Sequence, residues 1–234
     1  IRTMADKNNF FIAKGLYATK IENFIKCFLS LWFKRQYPYK MKFFKLFTLA
    51  TMVAITSSCN SGNGNTAFWN SLLDKYAKNP EVNQILLVKC TQGYDAEAYF
   101  YVKDASGKWE LQRSSDAQLG KNGLGKQVDG DMKTPEGEFG IRCAFGILPN
   151  PGTSIEYIDV TPSVYGCSDD CQYYNQIIDT SAVHHECHGE HMIEIAPDYN
   201  YGMSIDYNHD NTAGLGNSIF LHGKGAYPYT EGCV

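Results

Sequence analysis

The feature that most constrains the fold is a succession of short apolar runs that begins near Gln84 and continues to the last residues. Glycine, proline, asparagine and aspartate separate these runs, as turn residues separate strands. Long stretches with helical spacing are few. Strands are predicted at residues 85–88, 98–102, 108–112, 139–143, 157–160, 191–195, 203–207 and 218–221. The sequence therefore predicts a mostly β fold with short helices and long loops, in a domain that spans residues 84–234.

The residues before this domain contain a pattern typical of export. Residues 41–58 begin with Met41, carry Lys42 and Lys45, and continue with an apolar run at 46–55. That run has the length of a signal-peptide core and is too short to span a membrane as a helix. It ends in Thr-Ser-Ser-Cys, which resembles a bacterial lipoprotein cleavage box and implies that Cys59 carries lipid. The alternative is an ordinary secretory signal, and both interpretations export the domain to the periplasm or cell envelope.

The segments on either side of the signal are interpreted separately. Residues 1–40 precede the predicted signal and are interpreted as upstream sequence outside the mature protein. The alternative is a cytoplasmic extension whose stretch at 21–33 is membrane-active. Residues 59–83 combine a polar tether with a short helix predicted at 67–77, because apolar residues recur there at helical spacing and Pro80 follows.

The net charge of the chain limits the classes of partner it is expected to bind. The 234-residue chain has a net charge of −4 at pH 7. A nucleic-acid partner normally requires a strongly basic face, so binding to nucleic acid is not expected.

The last residues contain a histidine and a cysteine that could react together. An apolar run delivers His222 into a Gly-rich loop, and the loop returns Cys233 directly after Gly232. A thiol attacks carbonyl groups only as a thiolate, and a nearby imidazole can take its proton and later return it to a leaving amine. Gly232 leaves the backbone beside the sulfur uncrowded, so a neighbouring amide could face an oxyanion. This spacing indicates acyl transfer through a thioester.

A second motif makes the pattern more specific. The segment Gly-Asp-Met-Lys-Thr-Pro-Glu-Gly-Glu-Phe at 130–139 is a turn-rich lead into a strand. With the His222–Cys233 block, and with Tyr-Asn at 207–208 and Gly216, it resembles the YkuD-type L,D-transpeptidase catalytic domain. The resemblance covers about residues 84–234.

The resemblance implies a β-sandwich-like fold and a membrane-anchored enzyme of cell-wall biogenesis that needs no metal or cofactor. Its partners would be peptidoglycan stem peptides, cross-linked with release of D-alanine. Cys233 would be the nucleophile and His222 the base. The Gly223 carbonyl would hold the imidazole tautomer, and amides near Gly232 would bind the oxyanion. If water resolves the thioester, the same site is an L,D-carboxypeptidase.

The chain departs from the family pattern in two places. Glu231 stands where the commonest form of the motif has a second histidine. Residues that usually close the site after the apolar position are absent beyond Val234, so a C-terminally truncated domain is expected. The Glu231 departure favours the competing hypothesis, a catalytically decayed surface lipoprotein that binds peptidoglycan or a metal.

The region over the implied substrate cleft carries polar and aromatic residues. Tyr165, Asp169, Asp170, Tyr174 and Asn175 are expected to grip the stem peptide, and the alternative is a polar surface loop.

The remaining cysteines and histidines leave alternatives open. Cys167 and Cys171 precede a histidine-rich run that contains Cys187, and such residues can bind zinc. The irregular spacing favours a disulfide or a plain loop, and no metal is expected. Cys90 and Cys143 are predicted to be buried thiols or one disulfide, and His209 has no predicted role.

Overall fold

The structure, a computed structural model, describes residues 50–57 and 64–234. The described helices are α1 (Gly64–Ala77) and α2 (Thr180–Val183), with 3-10 turns at Met192–Glu194 and Asp198–Asn200. The described strands are β1 (Ala50–Ser57), β2 (Val82–Gln92), β3 (Asp95–Lys103), β4 (Trp109–Gln118), β5 (Gly137–Phe139), β6 (Ile141–Gly146), β7 (Tyr157–Asp159), β8 (Val164–Cys167), β9 (Gln176–Asp179), β10 (Glu190–His191), β11 (Gly202–Ile205) and β12 (Phe220–His222). The described residues are therefore mostly β, as predicted.

The strands form three sheets within the described residues. The largest sheet has the order β4-β3-β2-β1-β5, in which β2, β3 and β4 are antiparallel neighbours and β1 runs parallel to β2. The second has the order β12-β11-β6-β7, and the third β10-β8-β9.

Strand β2 lies at the centre of the packing because both of its faces are buried. Ile85 and Leu87 pack with Leu72 and Tyr76 of α1 on one face. Leu86 and Val88 face the opposite way and pack with residues of the second sheet such as Met203 of β11 and Leu221 of β12. This explains why β2 reads as a continuous apolar run and not as an alternating one. Burial of each such side chain contributes roughly 1.5–3 kcal/mol.

The predicted turn between β3 and β4 is confirmed. The Asp104 amide donates to the Lys108 carbonyl at 2.8 Å, and the Asp104 side chain accepts from the Ser106 amide. Gly107 has a φ of +88°, which a residue with a side chain rarely adopts.

Three sequence expectations differ from the structure. The strand predicted at 191–195 is wrong beyond His191, because the chain turns at Met192–Glu194 and buries the Met192 side chain. Strands β8 and β9 were not predicted, since they are short and rich in polar or small residues. Helix α1 begins at Gly64, three residues before the predicted start at residue 67.

The predicted signal peptide overlaps β1. Residues 50–55 of its apolar run lie in this strand, which pairs with both β2 and β5. Cys59, the extension at 1–40 and the first part of the tether lie outside the described residues. No helix among the described residues has the length and apolar character needed to cross a bilayer.

Candidate functional site

His222 and Cys233 border one large cleft of about 1720 Å³. Residues of β3 and β4 form one wall of this cleft. The other wall comes from the 3-10 turn at Asp198–Asn200 and from the segment that follows β12. A cleft of this size can hold an extended peptide.

The two predicted catalytic residues lie on the same face of paired backbone segments. The His222 amide donates to the Val234 carbonyl at 3.0 Å, and the Val234 amide donates to the Phe220 carbonyl at 2.9 Å. Side chains alternate between faces along extended chains. Accordingly, Phe220 and Cys233 belong to one apolar cluster, whereas Leu221 and Val234 belong to another.

The backbone of Gly223 determines which nitrogen of His222 can act as a base. His222 Nδ1 lies 2.8 Å from the Gly223 carbonyl, and the Gly223 amide donates to the Asp198 carbonyl at 3.0 Å. A carbonyl only accepts, so Nδ1 carries the proton and Nε2 keeps its lone pair. Burial lowers the pKa of His222, while the bond to Gly223 and the charge of Asp198 raise it. The imidazole is therefore a neutral proton acceptor near neutral pH.

The Cys233 thiol is protonated in this structure. Its Sγ accepts from the Phe220 amide and donates to the Ser218 carbonyl, both at 3.3 Å. Burial raises the pKa of Cys233 well above its ordinary range, and the charge of Glu190 raises it further. The Phe220 amide and Lys126 act in the opposite direction.

Two groups beside the thiol were missed in the sequence. Tyr199 donates from its hydroxyl to Glu190 Oε2 at 2.8 Å, and its ring meets the His222 ring edge-on at 5.3 Å. Burial raises the pKa of Glu190 to about 7, although the bond from Tyr199 lowers it, and the charge of Glu231 raises it further. Glu190 and Tyr199 lie far from Cys233 in the sequence and belong to no recognisable motif, so no local signal could have found them.

The motif at 130–139 supports Cys233 directly. Thr134 is fully buried, accepts from the Gly120 amide at 2.8 Å and donates to the Cys233 carbonyl at 3.1 Å. Thr230 donates to the same carbonyl at 2.7 Å. The two motifs that carry the resemblance therefore meet in the structure.

An ion pair holds the same loop beneath the site. Lys126 Nζ lies 3.0 Å from Asp131 Oδ1, and the Lys126 side chain is 4% exposed. Burial alone raises the pKa of Asp131, but hydrogen bonds from Gln127, Lys133 and Lys126 lower it to about 2. Asp131 is therefore ionised, and the pair keeps a cation close to the thiol.

Of the two amides beside the sulfur that could bind an oxyanion, that of Gly232 already has a hydrogen-bond acceptor. The Gly232 amide donates to Thr230 Oγ1 at 3.2 Å. Among the described residues the Cys233 amide has no hydrogen-bond acceptor, so its N–H remains available to an oxyanion.

None of the five residues predicted to bind substrate borders the cleft. Tyr174 is buried and donates to Asp129 at 2.7 Å, and Asn175 bonds to the turn at 207–211. Tyr165 stacks on His191 with ring centroids 4.5 Å apart. Asp169 lies beside the histidine-rich run, and Asp170 is exposed. Their role in binding substrate stays a prediction.

The cysteines outside the cleft fall into two groups. Cys90 and Cys143 are buried thiols: Cys90 Sγ donates to the Gly93 carbonyl at 3.5 Å, and burial raises the pKa of Cys143 to about 12. Cys167, Cys171 and Cys187 gather with His185 and Asp169 in the one part of the described chain where a metal could be held. His209 contacts the Asp206 carboxylate and lies apart from both groups.

A comparison of the chain with protein-family models, curated proteins and solved structures found no match. The likeness to a family therefore rests on the two sequence motifs.

Proposed function

We propose that this chain is an exported cysteine acyltransferase of the L,D-transpeptidase type, which cross-links peptidoglycan stem peptides and releases D-alanine. The observation that carries the proposal is the common placement of His222 and Cys233. They share one face and one cleft, and the Gly223 carbonyl leaves Nε2 of His222 as the only basic nitrogen of its ring.

The proposed reaction begins with proton transfer. The Cys233 thiol leaves its bond to the Ser218 carbonyl and gives its proton to His222 Nε2. The thiolate then forms a bond to the carbonyl carbon between the third stem residue and D-alanine, and the Cys233 amide binds the oxyanion. The carbon–nitrogen bond breaks, and the amine of D-alanine takes the proton from His222.

An amine of a second stem completes the cycle. It attacks the thioester, forms the new amide and returns a proton through His222 to the sulfur. If water attacks instead, the products are a free carboxylate and the thiol, and the activity is that of a carboxypeptidase.

The experiment measures D-alanine release from tetrapeptide stems by mass spectrometry, with and without an amine acceptor. Release together with a cross-linked product supports the transpeptidase, whereas release with a free carboxylate supports the carboxypeptidase. The Cys233→Ala variant is the control, and release that survives in it would contradict the proposal.

A second candidate is a peptidoglycan-binding lipoprotein whose thiol no longer reacts. The raised pKa of Cys233 and the nearby charges of Glu190 and Glu231 favour it. A carbapenem acylates only an activated thiol. A covalent adduct on Cys233 supports the enzyme, and binding to peptidoglycan without any adduct supports the second candidate.

Export and lipid anchoring are a separate part of the proposal. We expect mass spectrometry of the protein expressed from Met41 to find a lipidated product that begins at Cys59. Such cleavage removes β1, which pairs with β2 and β5. A form that starts at Cys59 must therefore fold without β1. If circular dichroism shows that form unfolded while the longer chain is folded, cleavage at this point is ruled out.

A further inference from the structure

The topology of the third sheet brings two distant cysteines together. Strand β8 ends at Cys167, and β10 runs antiparallel beside it with Glu190 opposite Gly166. The residues just before Glu190 must therefore pass those just after Gly166. Gly189 allows this approach, because a Cβ there would collide with the Gly166 carbonyl. Cys187 consequently lies against Cys167.

Two sets of candidate ligand atoms meet at this end of the sheet and share Cys167 Sγ. In the first, the sulfurs of Cys167 and Cys171 and a ring nitrogen of His185 all lie within 4.8 Å of one another, and Cys171 Sγ is 3.5 Å from His185 Nε2. In the second, Cys187 Sγ and a carboxylate oxygen of Asp169 lie within 4.8 Å of Cys167 Sγ and of each other. A tetrahedral zinc ion with bonds of about 2.3 Å to sulfur and about 2.0 Å to nitrogen separates its ligand atoms by roughly 3.5–3.8 Å. For all four to bind one ion, the Cys187 side chain has to rotate toward Cys171 and His185.

The backbone around the three sulfurs suits thiolates. Cys171 Sγ accepts from the Tyr173 amide at 3.4 Å, and Cys187 Sγ accepts from the Gly189 amide at 3.3 Å. Burial raises the pKa of Cys167 to about 12, and the Asp169 amide acts in the opposite direction as a donor to its sulfur. Each sulfur thus receives an N–H from the second residue after it, a repeated arrangement that stabilises negative charge on all three.

This part of the chain has little apolar core of its own. From residue 179 to residue 189 no side chain is buried, and α2 buries none. A bound metal would hold such a segment in place, as structural zinc does in small domains that cannot form a core.

We propose that Cys167, Cys171, His185 and Cys187 bind one structural Zn²⁺ ion, with release of the three thiol protons to solvent. Asp169, whose carboxylate accepts the His188 amide at 3.1 Å, remains outside the four ligands. The site fixes the chain three residues before Glu190 and so holds that carboxylate beside Cys233. The inference does not depend on the proposed transferase activity.

The rival state is a disulfide. The sulfurs of Cys167 and Cys187 lie within 4.8 Å of each other, and an oxidising compartment could pair them, which would leave too few ligands for zinc.

The test uses the full chain, purified under reducing conditions and analysed for metal by inductively coupled plasma mass spectrometry. We expect one zinc per chain. Cobalt added to the metal-stripped protein should give a thiolate-to-cobalt charge-transfer band and the visible bands of a tetrahedral site. Neither measurement requires a variant. Absence of both, or an intact mass lower by two hydrogen atoms in protein isolated without reductant, would overturn the proposal.

Matched variants test the four ligands. Cys171→Ser and His185→Gln should weaken zinc binding by more than about 100-fold in competition with a chelator, since even loss of a group behind the ligands costs 10–100-fold. The controls His184→Gln and Cys143→Ser should retain zinc. Equal loss in His184→Gln and His185→Gln would contradict the assigned ligands.

Discussion

The Cys233 thiol and the thiols of the Cys167 cluster have different neighbours, and these neighbours suit them to different roles. Cys233 is the one thiol of its apolar cluster, packs with aromatic side chains, and borders the same cleft as a histidine whose Nδ1 is held by the backbone. Cys167 has two other thiols and an imidazole around it. A single thiol beside a base suits a nucleophile, whereas several sulfurs with backbone donors suit a metal.

The two regions also differ in the environment of their nearest carboxylate. Glu190 lies against the Cys233 site, is largely protonated at pH values below about 7, and raises the pKa of the thiol when it ionises. Asp169 lies beside two histidines at the surface. The charge state of the Cys233 site should therefore change near neutral pH.

The largest expected effect separates Cys233 from an equally hidden thiol. Cys233→Ala should lower D-alanine release at least about a thousandfold, because the covalent route is lost. Cys143→Ala is the matched control, since Cys143 is buried to a similar degree but lies on β6, outside the cleft. Turnover of tetrapeptide stems measured by mass spectrometry checks both. Equal losses would remove the distinction between the two thiols.

The sequence suggests the proposed catalytic pair because both residues lie in a local motif, whereas it does not show what surrounds them. His222 and Cys233 flank one Gly-rich loop, and Thr134 lies in the second motif, so short-range pattern was enough. Glu190 and Tyr199 reach the site only through the pairing of β10 with β8 and the turn at Asp198–Asn200. Such long-range placement leaves no periodic signal in the sequence.

Prediction of the fold from the sequence is limited in the same way. The long apolar run of β2 predicts a strand, whereas β8 and β9 are not predicted because they are short and carry polar and small residues. The gathering of Cys167, Cys171 and Cys187 depends on that unpredicted sheet. Their irregular spacing in the sequence therefore favours a site without metal, whereas their positions in the structure favour a metal site.

The next effect concerns the base. His222→Ala should lower turnover by about 10²- to 10⁴-fold, because a buried thiol without a proton acceptor is rarely ionised. His185→Gln is the matched control, since it removes an imidazole from the Cys167 cluster and leaves His222 in place. It should lower zinc content and retain most of the turnover. If His185→Gln abolished turnover while His222→Ala retained it, His222 would not be the base.

Glu190 should make stability depend on pH. Its folded pKa of about 7 exceeds the ordinary value of 4.5, so the folded state holds more protons between these values. The contribution of protonated Glu190 to the free energy of unfolding is complete below about pH 4.5 and is lost as pH rises through about 7. Glu190→Gln should remove this decline and raise the free energy of unfolding at about pH 8 by on the order of 2 kcal/mol.

Urea unfolding at about pH 5 and about pH 8 measures the difference. Glu194→Gln is the control, since the Glu194 side chain is 73% exposed and, within the described part of the chain, forms an ion pair with His191 alone. A decline in stability that persists unchanged in Glu190→Gln would show that another group is responsible.

The smallest expected effect comes from Glu231, the residue that departs from the family pattern. Its charge raises the pKa of Cys233, so Glu231→Gln should speed alkylation of this thiol by iodoacetamide roughly two- to fivefold near neutral pH. Glu156→Gln is the matched control, because Glu156 raises the pKa of Cys143 instead. Peptide mapping by mass spectrometry follows each cysteine separately. Glu231→His then distinguishes the two functions: turnover should change only a few-fold in a working enzyme, whereas turnover that appears only after this substitution identifies a decayed site and favours the binding lipoprotein.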